Sequence, residues 1–162
     1  VLDTNCLIQS IPQKSRYHVL WQSFVDGTNK LCVSNEILEE YINSAKTYRN
    51  ETAEYVVKTI LNSPFVELIT PFYHFNLITV DPDDNKFVDC AISANAHYIV
   101  TNDHHYDVLK DIDFPKVNIV NIQQFCIYLS QKNNFLGKKG GFIVRNISIT
   151  DMYMSVLSSL SV

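Results

Sequence analysis

The sequence lacks the features that mark several common classes of protein. No apolar run approaches 18 residues, and the start, VLDTN, has no basic segment ahead of a hydrophobic one, so we expect neither a membrane span nor a signal peptide. The four cysteines are far apart in apolar segments, without C-x-x-C or Cys/His zinc spacing. We therefore expect reduced cysteines in the core of a cytoplasmic protein that makes no contact with a membrane.

Excess positive charge is also missing. The chain of 162 residues has 13 basic and 17 acidic side chains, and its net charge of -4 excludes a polycation that coats nucleic acid by charge alone. Hydrophobic residues make up 46% and charged residues 19%, which is typical of a globular domain with a core. A nucleic-acid ligand would therefore need a local binding site.

Glycine is scarce, and its distribution is uneven. Of the 4 glycines, Gly137, Gly140 and Gly141 fall together in FLGKKGGF, which is typical of a linker. We predict one domain over residues 1–132, followed by a Gly- and Lys-rich linker and C-terminal appendage of unknown role over residues 133–162. In the appendage, residues 142–149 alternate like a strand, and Thr150 is placed to cap a short helix.

Short runs rich in Val and Ile alternate with longer stretches of helical period. Strands are predicted at residues 1–2, 30–33, 65–69, 98–101 and 117–120, and helices at residues 17–26, 34–46, 51–62, 84–96 and 122–131. This alternation implies right-handed crossovers and an α/β fold with a parallel sheet flanked by helices. Ligands of such sheets bind beyond the carboxyl ends of the strands, so polar residues that directly follow a strand are the first candidates for chemistry.

Four acidic residues are expected at this edge of the sheet. Asp3 and Asp103 follow two of the predicted strands, while Glu40 and Asp84 belong to helices whose N-terminal ends are expected at the same edge of the sheet. Carboxylates in one pocket repel each other unless a cation binds them. A ligand set of oxygens suits Mg²⁺ or Mn²⁺, and such ions activate water for in-line attack on a phosphodiester.

Each acid also has a structural interpretation. Asp84 suits a helix N-cap, Glu40 suits a solvated helix face, and Asp103 suits a turn with Asn102. Asp3 is harder to explain in this way, because aspartate is unfavourable in strands. The combination of the four acids, rather than any one of them, therefore predicts a metal site.

Four motifs follow one another along the chain: VLDTN at residues 1–5, SNEILEEY at 34–41, DPDDNKFVDCAISANA at 81–96 and YIVTND at 98–103. In this order they resemble the PIN-domain family, and among its members the bacterial toxins of toxin-antitoxin systems, the VapC-like ribonucleases. The resemblance covers residues 1–131.

The resemblance implies a PIN-like three-layer α/β/α sandwich with a central parallel sheet, and a ribonuclease that uses Mg²⁺ or Mn²⁺ to hydrolyse single-stranded or looped RNA. The catalytic and metal-binding acids of the family correspond to Asp3, Glu40, Asp84 and Asp103. Glu36, one helical turn before Glu40, is the alternative glutamate.

Three further residues are secondary candidates. Asn5 and Thr101 resemble the small polar residues that orient carboxylates or waters in the family, although turn capping explains them equally well. Asp89 lies five positions beyond Asp84, about 140° further round a helix, and is expected at the margin of the site. For His104 and His105, a substrate contact by either one is favoured over metal ligation, because adjacent side chains point in different directions and no third imidazole has ligand spacing.

Two other functions remain open. A catalytically silent PIN scaffold would bind RNA or a protein partner without turnover, although the presence of all four acids favours an enzyme. An aspartyl-phosphate phosphotransferase built on Asp3 is weaker, because no second aspartate follows two residues on. The expected partners are an RNA substrate, an antitoxin protein and, through the appendage or the aromatic residues at 72–75, a second copy of the chain.

Overall fold

The computed structural model describes residues 1–48 and 50–138. The strand predicted at 142–149 and the helix predicted from Thr150 lie outside the described residues. No helix in the described part of the chain is long and apolar enough to cross a membrane.

Helices and strands alternate along the chain, as predicted for an α/β protein. The α-helices are α1 Thr4–Ser10, α2 His18–Val25, α3 Asn35–Tyr48, α4 Asn50–Asn62, α5 Asn85–Ser93 and α6 Ile122–Lys138. The strands are β1 Leu31–Val33, β2 Val66–Leu68, β3 Ile99–Val100 and β4 Ile119–Val120. Two segments are 3₁₀ helices, Pro82–Asp84 and His104–Asp111.

The strands pair in parallel, which confirms the predicted α/β fold. β1 pairs with β2, with Cys32 opposite Glu67, and β3 pairs with β4. Leu2 adds a parallel bridge to Val100, and the Asp3 N–H donates to the Val100 carbonyl at 3.0 Å. In the described residues the strands thus form two parallel pairs. The segment that leads into Asp3 lies beside β3 and extends the β3–β4 pair.

Helices cover the strands and enclose one continuous apolar core. α5 packs against β1 and β3, α1 packs against α2 and α3, and α2 packs against α6. β1 and β3 are apolar because both of their faces are buried, whereas β2 leaves Glu67 and Leu68 exposed. All four cysteines are buried and free, as predicted. The largest fully buried side chains include Trp21, Tyr41 and Tyr106.

Four local predictions differ from the structure. Residues 4–10 form α1, where no helix was predicted, and residues 104–111 form an unpredicted 3₁₀ helix. The helix predicted over 84–96 is shorter, because Pro82–Asp84 forms a 3₁₀ turn, α5 begins at Asn85 and it ends at Ser93. α6 continues beyond the predicted end at Gln131 to Lys138, into the segment assigned to the linker.

Candidate metal centre

Asp3 lies where the first extended segment ends and α1 begins. Its Oδ1 accepts a hydrogen bond from the Asn5 backbone N–H at 2.9 Å, and its Oδ2 accepts one from the Thr101 hydroxyl at 2.5 Å. Burial raises the pKa of Asp3, the two hydrogen bonds lower it, and the nearby charges of Asp103 and Glu40 raise it again. The carboxylate is therefore fixed in position, and among the described residues no side-chain cation forms an ion pair with it.

Thr101 connects Asp3 to Asp103. The Thr101 side chain is buried, and its Oγ1 also accepts a hydrogen bond from the Asp103 backbone N–H at 3.0 Å. Asp103 Oδ1 accepts from the His105 N–H at 2.8 Å and so caps the 3₁₀ helix that follows. The contacts of Thr101 are those that an orienting residue needs. The Asn5 side chain, in contrast, is exposed, and its backbone makes the contact with Asp3.

Asp84 lies between the 3₁₀ turn and α5. Its backbone is helical and its side chain makes no capping hydrogen bond, so the N-cap interpretation of this residue is wrong. Oδ1 instead accepts from the Tyr106 hydroxyl at 3.1 Å. Burial raises the pKa of Asp84, the Tyr106 hydroxyl lowers it, the charges of Asp81 and Asp103 raise it, and the His105 ring lowers it.

Tyr106 is a buried neutral donor to this carboxylate. Burial raises the pKa of its hydroxyl, and the charges of Asp84, Asp3 and Glu40 raise it further. The phenol therefore keeps its proton and can hold Asp84 in one orientation.

Glu40 reaches the acids from α3 and carries an ion pair. Its Oε2 lies 2.7 Å from Lys86 Nζ at the start of α5, and a third of its side chain is exposed. α3 is fixed to the segment that carries Asp3, because the buried Tyr41 hydroxyl donates to the Leu2 carbonyl. Glu36, the alternative glutamate, is exposed and lines a neighbouring cleft. We call Asp3, Glu40, Asp84 and Asp103 the acidic centre.

Two residues that were not predicted as ligands extend the acidic centre. His105 Nδ1 lies 3.4 Å from Asp84 Oδ2, 3.4 Å from Asp103 Oδ1 and 3.9 Å from Asp81 Oδ2. One ligand atom from each of Asp81, Asp84 and His105 falls within 4.8 Å of the others. Asp81 was overlooked although it is the first acid of the DPDD run, and its side chain accepts from the Asp83 N–H.

Asp89 binds a loop at the edge of the site. It is almost fully buried, and its two oxygens accept from the Phe75 N–H and contact His74 Nδ1, each at 3.0 Å. It also lines an open cleft of about 540 Å³ beside the acidic centre. Glu40 and Lys86 border this cleft, whose other lining residues are Glu36, Glu39, Asn43, His74, Asn76, Pro82, Asp83 and Asn85.

The donor set fits a divalent cation. Asp84 Oδ2 and His105 Nδ1 are buried and, within the described residues, have no hydrogen-bond partner. Buried polar atoms normally have partners, so this pair requires an explanation, and a bound cation supplies one. Burial and mutual repulsion also leave Asp3 and Asp84 with raised pKa values, which a cation would reverse.

Comparison with known proteins agrees with the four motifs. No curated protein is significantly similar to the chain. The family model described as the PIN domain matches residues 1–105, a range that contains the whole acidic centre together with Asp81 and His105. PIN domains are generally nucleases and typically use divalent metals. The chain belongs to the PIN-domain family.

Proposed function

We propose that the chain is an endoribonuclease that uses Mg²⁺ or Mn²⁺ to hydrolyse phosphodiester bonds in single-stranded or looped RNA. The observation that carries this proposal is the convergence of carboxylates from four separate segments, with Asp103 and Glu40 each raising the pKa of Asp3 by their charge. Within the described residues Lys86 pairs with Glu40 at 2.7 Å, and His105 faces Asp84 and Asp103 at 3.4 Å. The charges of neighbouring acids nevertheless raise the pKa values of Asp3 and Asp84.

In this proposal each residue has a distinct task. Asp3, Asp84 and Asp103 hold the ion, and Glu40 holds it directly or through water. The bound ion supplies activation of the attacking water and stabilisation of the leaving oxygen. Thr101 and Tyr106 orient the aspartates through the hydrogen bonds to Asp3 and Asp84.

The biological setting that we propose is that of the toxin in a toxin-antitoxin pair. Its support is the likeness of the four motifs to bacterial PIN-domain toxins. Expression of the wild-type chain should arrest growth, and expression of Asp103→Asn should not. An antitoxin protein, and a second copy of the chain, are the partners that we expect in addition to RNA.

Cleavage of labelled single-stranded RNA tests the enzymatic proposal. Asp103→Asn should slow cleavage in Mn²⁺ by roughly 10²- to 10³-fold or more, because a lost ligand weakens charge stabilisation in the transition state. Asp107→Asn is the matched control, since Asp107 lies in the same 3₁₀ helix, where it pairs with Lys110 and with His104. This control should cleave at the wild-type rate.

Three outcomes would contradict the proposal. Equal rates for wild type and Asp103→Asn, or an activity that EDTA does not reduce, would assign the cleavage to a contaminant or to another mechanism. RNA binding by the wild type without cleavage in either Mg²⁺ or Mn²⁺ would favour the silent scaffold instead.

A further inference from the structure

A histidine ring lies among the carboxylates of the acidic centre. The geometry points to His105 as a ligand that binds the ion through Nδ1 together with Asp84, and thereby makes the centre prefer Mn²⁺ to Mg²⁺. This inference rests on the proposed function, because it concerns the same ion.

The interatomic distances fit shared coordination. Two ligands at about 2.1 Å from one octahedral ion are about 3.0 Å apart when adjacent and about 4.2 Å apart when opposite. The distances from His105 Nδ1 to Asp84 Oδ2, to Asp103 Oδ1 and to Asp81 Oδ2 are 3.4, 3.4 and 3.9 Å. They therefore lie between the two limits, as expected of atoms that face a common ion.

The surroundings of the His105 ring nitrogen also support its role as a ligand. His105 Nδ1 is a buried atom without a hydrogen-bond partner in the part of the chain that the structure describes, and the same holds for Asp84 Oδ2, which it faces. The backbone N–H of His105 donates to Asp103, and this contact fixes the residue within the cluster. A nitrogen that is held among carboxylate oxygens without a hydrogen bond is placed as a metal ligand would be.

The neighbouring histidine shows the contrast. The side chain of His104 is 94% exposed and contacts Asp107 at 3.1 Å, outside the acidic centre, whereas that of His105 is 39% exposed. The two residues point in different directions, as the sequence predicted, so one of them can bind the ion while the other faces solvent. His104 is therefore a natural control.

An imidazole ligand alters metal preference. Mg²⁺ strongly prefers oxygen ligands, whereas imidazole nitrogen favours first-row transition metals. The full chain should therefore bind Mn²⁺ more tightly than Mg²⁺, by on the order of tenfold or more. An ion pair between a protonated His105 and the acids is the alternative, and in that case the bound ion would displace the ring.

Electron spin-echo spectroscopy of the full chain with Mn²⁺ tests the inference without recourse to activity. The wild type should show modulation from a directly bound ¹⁴N nucleus. His104→Gln should keep this signal, and His105→Gln should lose it. His105→Gln should also reduce the ratio of the Mg²⁺ and Mn²⁺ dissociation constants, measured by calorimetry with each ion alone.

The outcomes separate this inference from the proposed function. Mn²⁺ that binds without ¹⁴N modulation, or modulation that persists in His105→Gln, would overturn the role of His105 and leave the nuclease proposal standing. A chain that binds no Mn²⁺ would overturn both. If His105→Gln did not fold, spectra of the wild type, His104→Gln and His74→Gln would still test the inference. Absence of ¹⁴N modulation from the wild type would refute it, and modulation retained in both of these variants would support it.

Discussion

Two buried hydroxyl groups determine how the carboxylates of the acidic centre are oriented. Thr101 donates to Asp3 and accepts from the backbone of Asp103, and Tyr106 donates to Asp84. Both side chains are buried, so water does not compete strongly for these contacts. Thr101 and Tyr106 thus fix the orientations of Asp3 and Asp84, and Thr101 links Asp3 to the backbone of Asp103.

Asp3 should make the metal-free protein less stable as the pH rises. Burial raises its pKa above the ordinary 3.8, so between 3.8 and the raised value the folded chain binds more protons than the unfolded chain. The free energy of unfolding therefore falls as the pH rises through that window, and it stays lower above it. Asp3→Asn removes this contribution and keeps an oxygen to accept from the Asn5 N–H.

Denaturation in EDTA at several pH values measures this effect. The stability of Asp3→Asn relative to wild type should increase as the pH rises from about 4 towards neutrality. Mn²⁺ should raise the melting temperature of the wild type, following RT ln(1 + [L]/Kd), and should have little effect on the variant. A stability difference that is independent of pH, or a variant that Mn²⁺ stabilises as much as the wild type, would remove Asp3 from the centre.

An aspartate at the start of a helical segment can cap that segment and also bind a metal ion. In the sequence these two roles look like alternatives. Asp3 begins α1, Asp81 begins a 3₁₀ turn and Asp103 begins a 3₁₀ helix, and each accepts a backbone N–H with one oxygen. The second oxygen of Asp3 accepts from Thr101, and that of Asp81 lies 3.9 Å from His105. A carboxylate has two oxygens, so it can perform both tasks.

The acids at the strand ends were predictable because hydrophobic runs define where parallel strands stop. Asp3 and Asp103 follow such runs, and the structure places them on either side of Thr101. Asp81 and His105 were not predictable as neighbours, because their proximity depends on short 3₁₀ segments that have no hydrophobic period. Helix capping, the structural alternative for Asp84, does not occur through its side chain, because Asp84 ends a 3₁₀ turn and makes no capping hydrogen bond.

Asp89 should stabilise a loop rather than bind the ion. Its oxygens contact the Phe75 N–H and His74, so Asp89→Ala removes the acceptor of a backbone donor and should cost about 1–3 kcal/mol of unfolding free energy. The rise in melting temperature with Mn²⁺ should remain. Asp89→Asn, which keeps one acceptor oxygen, is the matched control and should lose less stability.

Thermal unfolding with and without Mn²⁺ distinguishes the two roles of Asp89. A variant Asp89→Ala that folds but no longer responds to Mn²⁺ would place this residue among the ligands. In that case the contacts of the two Asp89 oxygens with the loop would be less important than metal binding.

The fold of the whole molecule extends beyond the segment that matches the PIN domain. The family match covers residues 1–105, yet β4 pairs with β3, and α6 packs against α2. The hydrophobic pattern predicted both of these later elements, because Ile119–Val120 and the helix after it have clear periods. The end of α6 was less predictable, since Gly137 indicated a linker and the helix continues through it.

Removal of the residues after Lys138 should leave the acidic centre intact. Every residue of the centre precedes the cut, as do the paired strands and all the helices of the described region. The deleted segment contains Lys139, Arg145 and Asp151, so the truncated chain loses two basic charges and one acidic charge. We therefore expect an unchanged Mn²⁺ response and, at most, a modest loss of RNA affinity.

Salt dependence makes this last expectation quantitative. If both deleted basic residues contact phosphates, the slope of log affinity against log salt should become shallower by about 1.4, because single-stranded nucleic acid contributes about 0.7 per neutralised phosphate. Fluorescence anisotropy with labelled RNA measures the slope, with Asp103→Asn as the background in both chains so that no cleavage occurs. Melting curves of the two chains with the native Asp103 measure the response to Mn²⁺. A truncated chain that folds and has lost this response would show that the segment after Lys138 contributes to the metal centre, because none of the four acids has been removed.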